Sequence, residues 1–542
     1  MRADLFEEYL RVRTFAVPSV LQDITCIRLH EERSDPIDPD VKNLLQSLQN
    51  RVLKVEADGD CAERRALRVG VILAGGPAPG GHAVISGLFD ALHEWHPESL
   101  LVGFLGGPKG LLRNEFVVLS REHITSVQWT GGFSLLGTGR TKIVTDEEID
   151  QAIQSMEMHQ LDGLVMIGGD DSNSDAAYLA HALTEKGRRG VVVGVPKTID
   201  GDLQSRDIEI SFGFDTACKV YSDIIGNISQ DLLSTKKYYS FVRLMGRTAS
   251  HITLECALQT QPNLAFITEE IHASGLRLQD LISMIADLVE ARHHMHKHYG
   301  LVLIPEGLIE SLSDVRQLIL ELNELLSPQH PLHTSIHECA TRQERVSMII
   351  SYLSDEAKLS LEMFPPTIAE QFVHDRDPHG NVRVSKIETE RLLAGFVETE
   401  LRERNLSIPF TVQPFFCGYE GRSAYPSWFD AQYCYSLGRV AALSIVHQAN
   451  GYLAAIRHLS QPIENWEPVL VPLATLMQIE VRHGEKRAVV QKKLVDLEGN
   501  LFQQYLMQRE AWKIEDCYRQ AGPMQFWGPD DLVSSIALTV LS

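Results

Sequence analysis

"LDGLVMIGGDDSNSDAA", residues 161–177, carries the fold in miniature. Leu161 to Ile167 is an almost unbroken apolar run of strand length. Gly168 and Gly169 make a turn, and "NSDAAYLAHALTEKG" (173–187) follows with helical character. A continuous apolar run bounded by turn residues predicts a strand buried on both faces. Moving outward, the same layout precedes it at "LRVGVILAGG" (67–76) and "LLVGFLGGPKGLL" (100–112), and follows it at "GVVVGVPKTIDGD" (190–202). "HAVISGLFDALHEW" (82–95) is a second helix-like stretch between such runs. Strand, glycine turn and helix in repetition predict a parallel α/β sheet. Such sheets bind ligands at the carboxyl ends of their strands, where these glycine and aspartate turns fall.

A second α/β region begins near residue 237, with "KYYSFVRLMG" and "GLVLIPEG" as strands and "TASHITLECALQT" as a helix. Residues 307 to about 400 turn amphipathic and helical, with Leu308, Leu312, Val315, Ile319, Leu322 and Leu326 on one stripe. The expected division is therefore a helical, polar extension over 1–66, a first α/β domain over 67–236 completed by part of 430–500, a second over 237–430 including the helical insertion at about 308–400, and a segment over 431–542 packing on both.

The chain has 542 residues, 44% of them hydrophobic, so more than one domain is expected. A net charge of −22 argues against nucleic acid as a partner. It leaves room for a small anion held by local cations. Eight cysteines stand singly with no C-x-x-C, which reads as free thiols in a reducing compartment. The acidic N-terminus lacks the apolar core of a secretory signal, and no run approaches a membrane span. A cytoplasmic protein is the expectation.

Several loops carry candidate chemistry. "AGGPAPGG" (74–81) closes the first strand with glycines that let backbone approach an anion at a helix start. A plain tight turn would also use them. "GGDDS" (168–172) adds two carboxylates. One suits Mg²⁺ bridging to phosphate; helix capping by Ser172, Asn173 or Ser174 explains one polar residue and leaves two adjacent aspartates unaccounted for. "VPKTIDGDL" (195–203) gathers Lys197, Thr198, Asp200 and Asp202, pairing a cation for phosphoryl charge with a carboxylate that can take a proton. "LMGRTASH" (244–251) offers Arg247 to a phosphate, "PEGL" (305–308) offers Glu306 to hydroxyls, and "GYEGRS" (418–423) presents Tyr419 and Arg422. Two motifs are set aside. The histidines of "RHHMHKH" (His293, His294, His296, His298) straddle a helix end, and "HDRDPHGN" fails the calcium-loop spacing at His379 and Lys386.

In this order, "AGGPAPGG", "TGGFSLLGTGR", "GGDDS", "PKTIDGD", "MGR", "PEG" and "GYEGRS" resemble the phosphofructokinase family, within it the long pyrophosphate-dependent branch, over about residues 67–440. The resemblance implies two Rossmann-like parallel-sheet domains with an all-helical insertion and terminal extensions. It implies reversible phosphoryl transfer between pyrophosphate and fructose 6-phosphate, with Mg²⁺, in glycolysis. Asp200 would accept the proton of the sugar 1-hydroxyl, and Asp170 would bind Mg²⁺. Gly75, Gly76, Arg140 and Lys197 would contact pyrophosphate. Thr198, Ile199 and Asp202 would line the same centre. Met245, Gly246, Arg247, Glu306, Tyr419, Glu420, Gly421 and Arg422 would bind fructose 6-phosphate, Arg247 also assisting catalysis. Lys237 and Tyr238 match the part that a neighbouring subunit contributes, which implies a homodimer.

Members that use ATP resemble this pattern with glycine at the positions of Asp171 and Lys197. An aspartate at 171 would exclude a nucleotide α-phosphate by bulk and charge. Two like charges about 4 Å apart cost on the order of 4 kcal/mol at an effective dielectric near 20, about a thousandfold in binding. Lys197 would serve the pyrophosphate that remains. The alternatives are an ATP-dependent enzyme of the same fold, against which the missing glycines count, and a non-catalytic regulatory subunit, against which Asp200, Lys197 and Arg247 count. A dinucleotide-dependent oxidoreductase lacks its fingerprint glycines.

Overall fold

The computed structural model describes residues 10, 13–58, 64–327, 330–332, 335–336, 338–376, 382–482, 485–522, 536 and 538–540. Two compact units divide them. The first takes the described parts of Met1–Val220, Tyr419–Lys493 and Pro523–Ser542; the second takes those of Tyr221–Gly418 and Leu494–Gly522. The division falls at Val220, inside the helix Phe214–Thr235.

The first unit is built on a nine-stranded sheet. Its strands are β1 (Ile27–Arg33), β2 (Arg51–Ala57), β3 (Arg68–Leu73), β4 (Leu100–Phe104), β5 (Phe116–Val118), β6 (Gly163–Gly168), β7 (Val191–Pro196), β12 (Tyr452–Arg457) and β13 (Glu467–Pro472), in the order β1-β2-β13-β12-β7-β6-β3-β4-β5. The central run β12-β7-β6-β3-β4 is parallel. β3, β6 and β7 are almost wholly buried, as their unbroken apolar sequences require. β14 (Met477–Arg482) and β15 (Glu485–Val490) form a separate antiparallel hairpin of this unit.

The N-terminal extension departs from expectation. Its sequence reads as helical, yet it supplies β1 and β2, an antiparallel pair that extends the sheet at its edge. Few of their positions are buried: Ile27 in β1, Val52 and Val55 in β2. Val52 and Val55 stand three residues apart, so no period of two marks the strand, and charged residues fill the rest. The cysteine reading also needs correction. Cys26 is disulfide-bonded; Cys61 lies outside the described residues, and the other six cysteines form no disulfide.

Helix α1 (Gly81–Trp95) crosses helix α3 (Trp428–Val446) at glycines, while α2 (Asp170–Glu185) follows β6. A Cβ at Gly87 would lie 1.9 Å from the Tyr435 carbonyl oxygen, and one at Gly438 would lie 2.1 Å from that of Val84. Backbone cannot yield as a side chain can. Gly438→Ala is therefore expected to cost about 1–3 kcal/mol or more, read as a lowered urea midpoint.

The second unit has a parallel four-stranded sheet, β11 (Val412–Cys417), β8 (Tyr239–Leu244), β10 (Gly300–Pro305) and β9 (Leu264–Ala265) in that order. The helices between Leu308 and Glu403 share one core with it: Tyr239, Phe241, Val302 and Ile304 pack in the same cluster as Leu318, Leu361, Phe372 and Leu393. Among the described residues no helix is long and apolar enough to cross a membrane.

Candidate active site

Because β7, β6 and β3 are neighbours, their carboxyl-terminal turns are neighbours too. The Lys197 amide donates to the Gly168 carbonyl at 2.9 Å, and the Ala74 amide to Ile167 at 2.8 Å. Gly75 has φ +79°, a left-handed conformation that glycine adopts without strain. The Lys197 ammonium reaches across from the third loop and donates to the Gly76 carbonyl at 2.9 Å. The Arg422 guanidinium lies against the same turn, with Nη2 2.7 Å from where a Cβ on Gly76 would stand. Arg422, expected among the sugar-binding residues, thus sits at the turn expected to hold pyrophosphate.

Lys197 is only 6% exposed. Burial pushes its ammonium down to about 8, and the nearby positive charges of Arg422 and Arg140 act in the same direction. Asp200 and Asp170 oppose that fall. Two cations and two carboxylates therefore surround one buried lysine. Thr198 shapes the loop: its hydroxyl accepts from the Asp200 amide at 3.1 Å, and its carbonyl accepts from Ser211 at 3.0 Å. Ile199 is buried beside it, and Asp202 is 4% exposed.

Asp170 and Asp171 open α2, with Gly169 as a cap residue whose place involves no side-chain bond. Capping is thus not what the two aspartates do. Each has a lysine partner that sequence reading missed. Lys142 lies 3.1 Å from Asp171 Oδ1. Lys492 lies 3.4 Å from Asp170 Oδ2 and 3.9 Å from Asp202 Oδ2. The Lys142 pair changes the charge reading of Asp171. Asp171 is about half exposed and paired, so its charge would repel a phosphate less than an unpaired carboxylate would.

His82, in the first turn of α1, is another residue no motif flagged. Its Nε2 accepts from the Leu135 amide at 3.3 Å, so Nδ1 carries the proton and donates to Thr130 Oγ1 at 3.0 Å. Burial pushes this imidazole down to about 4, so it stays neutral near pH 7. It ties α1 to the loop that leads to Arg140. At the far end of that loop the Gly75 amide donates to Gly139 at 2.9 Å.

In the second unit, parallel pairing sets Leu244 beside Pro305, so the turns Met245–Gly246–Arg247 and Glu306–Gly307 meet. The Glu306 amide donates to Leu244 at 2.8 Å, and a Cβ on Gly307 would stand 2.0 Å from the Arg247 carbonyl oxygen. Arg247 is exposed and Met245 buried. Lys237 and Tyr238 lie at the opposite, amino-terminal end of β8, about 20 Å away at roughly 3.3 Å per strand residue. Tyr238 donates to Asp231. His293 and His298 share a hydrogen bond at 2.8 Å at the end of the helix Leu278–His294. His379 lies outside the described residues.

A model of the phosphofructokinase family matches residues 68–442, which hold both sheets' site-bearing turns. This chain belongs to the phosphofructokinase family. Among its relatives, the pyrophosphate–fructose 6-phosphate 1-phosphotransferase of Treponema pallidum is 44% identical over 482 residues, 88% of this chain and 84% of that protein. The enzyme of the same name from Entamoeba histolytica is 40% identical over 529 residues, 97% of this chain and 96% of that one. A solved structure of the pyrophosphate-dependent phosphofructokinase from Nitrosospira multiformis shares the fold, with TM-score 0.55 at 17% identity over 83% of this chain and 92% of that one. The phosphofructokinase fold thus accounts for the two sheets.

Proposed function

We propose that this chain transfers a phosphoryl group reversibly between pyrophosphate and the 1-hydroxyl of fructose 6-phosphate, giving fructose 1,6-bisphosphate and orthophosphate. The observation that carries this reading is Lys197, a buried cation aimed at the Gly75–Gly76 turn, in the same sheet-end as Asp171. In family members that use ATP, glycines take both places.

The sugar 1-oxygen attacks the donor phosphorus, the bridging P–O bond breaks, and orthophosphate leaves. Asp200 takes the hydroxyl proton. Lys197, Arg140 and Arg422 stabilise the charge on the transferring and leaving phosphates. Met245, Gly246, Arg247 and Glu306, with Tyr419, Glu420 and Gly421, bind the sugar phosphate. Lys237 and Tyr238 serve a neighbouring copy's site; their distance along β8 from Arg247 favours that role over one in their own chain. The active form is then at least a homodimer, acting in the cytoplasm.

Mg²⁺ fits the donor side. Asp170 and Asp202 already share one cation, the Lys492 ammonium. A divalent ion that takes one or two carboxylates plus phosphate oxygens and waters asks no more of the protein. Asp170 would hold it, and it would neutralise phosphate charge when bound.

Lys197 is charged below its value of about 8 and neutral above it. Since kcat/KM reports the free enzyme, kcat/KM for pyrophosphate is expected to fall as pH rises through about 8. Lys197→Arg should abolish that limb. A profile flat to pH 10 in the parent enzyme would contradict the role. The reaction class itself is tested in reverse: fructose 1,6-bisphosphate with radiolabelled orthophosphate should yield labelled pyrophosphate, and failure to do so would overturn the proposal.

A further inference from the structure

The hairpin β14–β15 contains none of the residues the family resemblance points to, yet it delivers a cation to the metal-binding carboxylates. Its placement is fixed by backbone bonds. The Ala488 amide donates to Tyr178 Oη at 2.9 Å and the Val490 amide to Ser174 Oγ at 2.8 Å, both on α2. Arg487 pairs with the buried Asp175 at 3.4 Å, one helical turn beyond Asp171. Beyond the hairpin, the Gln491 amide donates to Leu476 at 2.8 Å and the Lys493 amide to the Asp202 carbonyl at 2.7 Å. Lys492 lies between these last two anchors. Its ammonium stands between Asp170, at the start of α2, and Asp202, at the end of the catalytic loop.

We infer that Lys492 is a positioning residue: a built-in counter-ion that holds Asp170 and Asp202 together in the metal-free enzyme and must yield when Mg²⁺ arrives. Two carboxylates facing one another without a cation repel and spread. An ammonium tethered there keeps the pair set for a metal, and competes with that metal. Lys492 is about one-third exposed on a flexible arm, so it can swing aside toward phosphate without disturbing the anchored backbone. The inference rests on the reading that Asp170 is the metal ligand.

The test uses the full chain and Mn²⁺ as probe, without substrates, read by electron paramagnetic resonance and by the Mn²⁺-induced rise in melting temperature. Lys492→Met is expected to bind Mn²⁺ about tenfold more tightly than the parent, since one unit charge near a divalent ion has been removed. Lys492→Arg should restore the weaker binding, which a loss of mere packing would not explain. Asp170→Asn should lose the site. Mn²⁺ affinity in Lys492→Met within twofold of the parent, with binding lost in Asp170→Asn, overturns the counter-ion role alone. Parent-like binding in Asp170→Asn overturns the metal assignment and the inference with it. Circular dichroism of each variant confirms a parent-like fold.

Discussion

Replacing Asp200 with Ser is expected to lower kcat by about a thousandfold while KM for fructose 6-phosphate changes little, as befits a positioned proton acceptor. The loop geometry supports a specific side chain and not loop shape in general. Thr198 fixes the Asp200 amide, Ser211 fixes Thr198, and Phe212 pairs back to Pro196, so the loop keeps its course without the carboxylate. A second consequence follows from the charge balance. Asp200 helps hold the proton on Lys197. Its removal should therefore move the alkaline limb of the residual activity to lower pH. Stopped-flow or coupled steady-state assays across pH check both. Near-normal kcat in the variant would place the proton acceptor elsewhere.

Lys197→Met should be the other severe variant. The side chain is close in length but carries no charge, and a fixed cation in a water-poor site contributes on the order of 10²- to 10³-fold to kcat when it meets developing charge. Saturation by pyrophosphate should weaken as well, because one of the cations proposed to hold it is lost while Arg140 and Arg422 remain. Stability should not fall in parallel. Burial already disfavours the ammonium, so exchanging it for an apolar group relieves a cost. Melting temperature unchanged or raised, with kcat lost, is the expected pair of results. A variant that melts early and keeps its turnover per folded molecule would contradict the catalytic role.

Much of this was legible in the sequence because the central strands are buried on both faces. β3, β6 and β7 read as apolar runs, and the glycine and aspartate turns that follow them are those proposed to hold the donor. β1 and β2 were not legible, since an edge pair carries many charged residues and its few buried ones, Ile27, Val52 and Val55, follow no period of two. Lys142, Lys492 and His82 were missed for a different reason. Each reaches its partner through tertiary placement: Lys142 beyond the Thr130–Arg140 loop, Lys492 beyond a hairpin far along the chain, His82 within a helix start rich in small residues. No spacing rule links them to Asp170 or Asp171. Arg422 stands out in the sequence as a candidate, but only the fold places it against Gly76. The disulfide at Cys26 likewise had no signature in isolated cysteines.

The central claim is the identity of the phosphoryl donor, and one assay of the purified chain tests it most directly. With fructose 6-phosphate saturating and Mg²⁺ present, pyrophosphate and ATP are compared as donors. The account predicts rapid formation of fructose 1,6-bisphosphate from pyrophosphate, with turnover from ATP lower by orders of magnitude. Efficient turnover with ATP and none with pyrophosphate would contradict it.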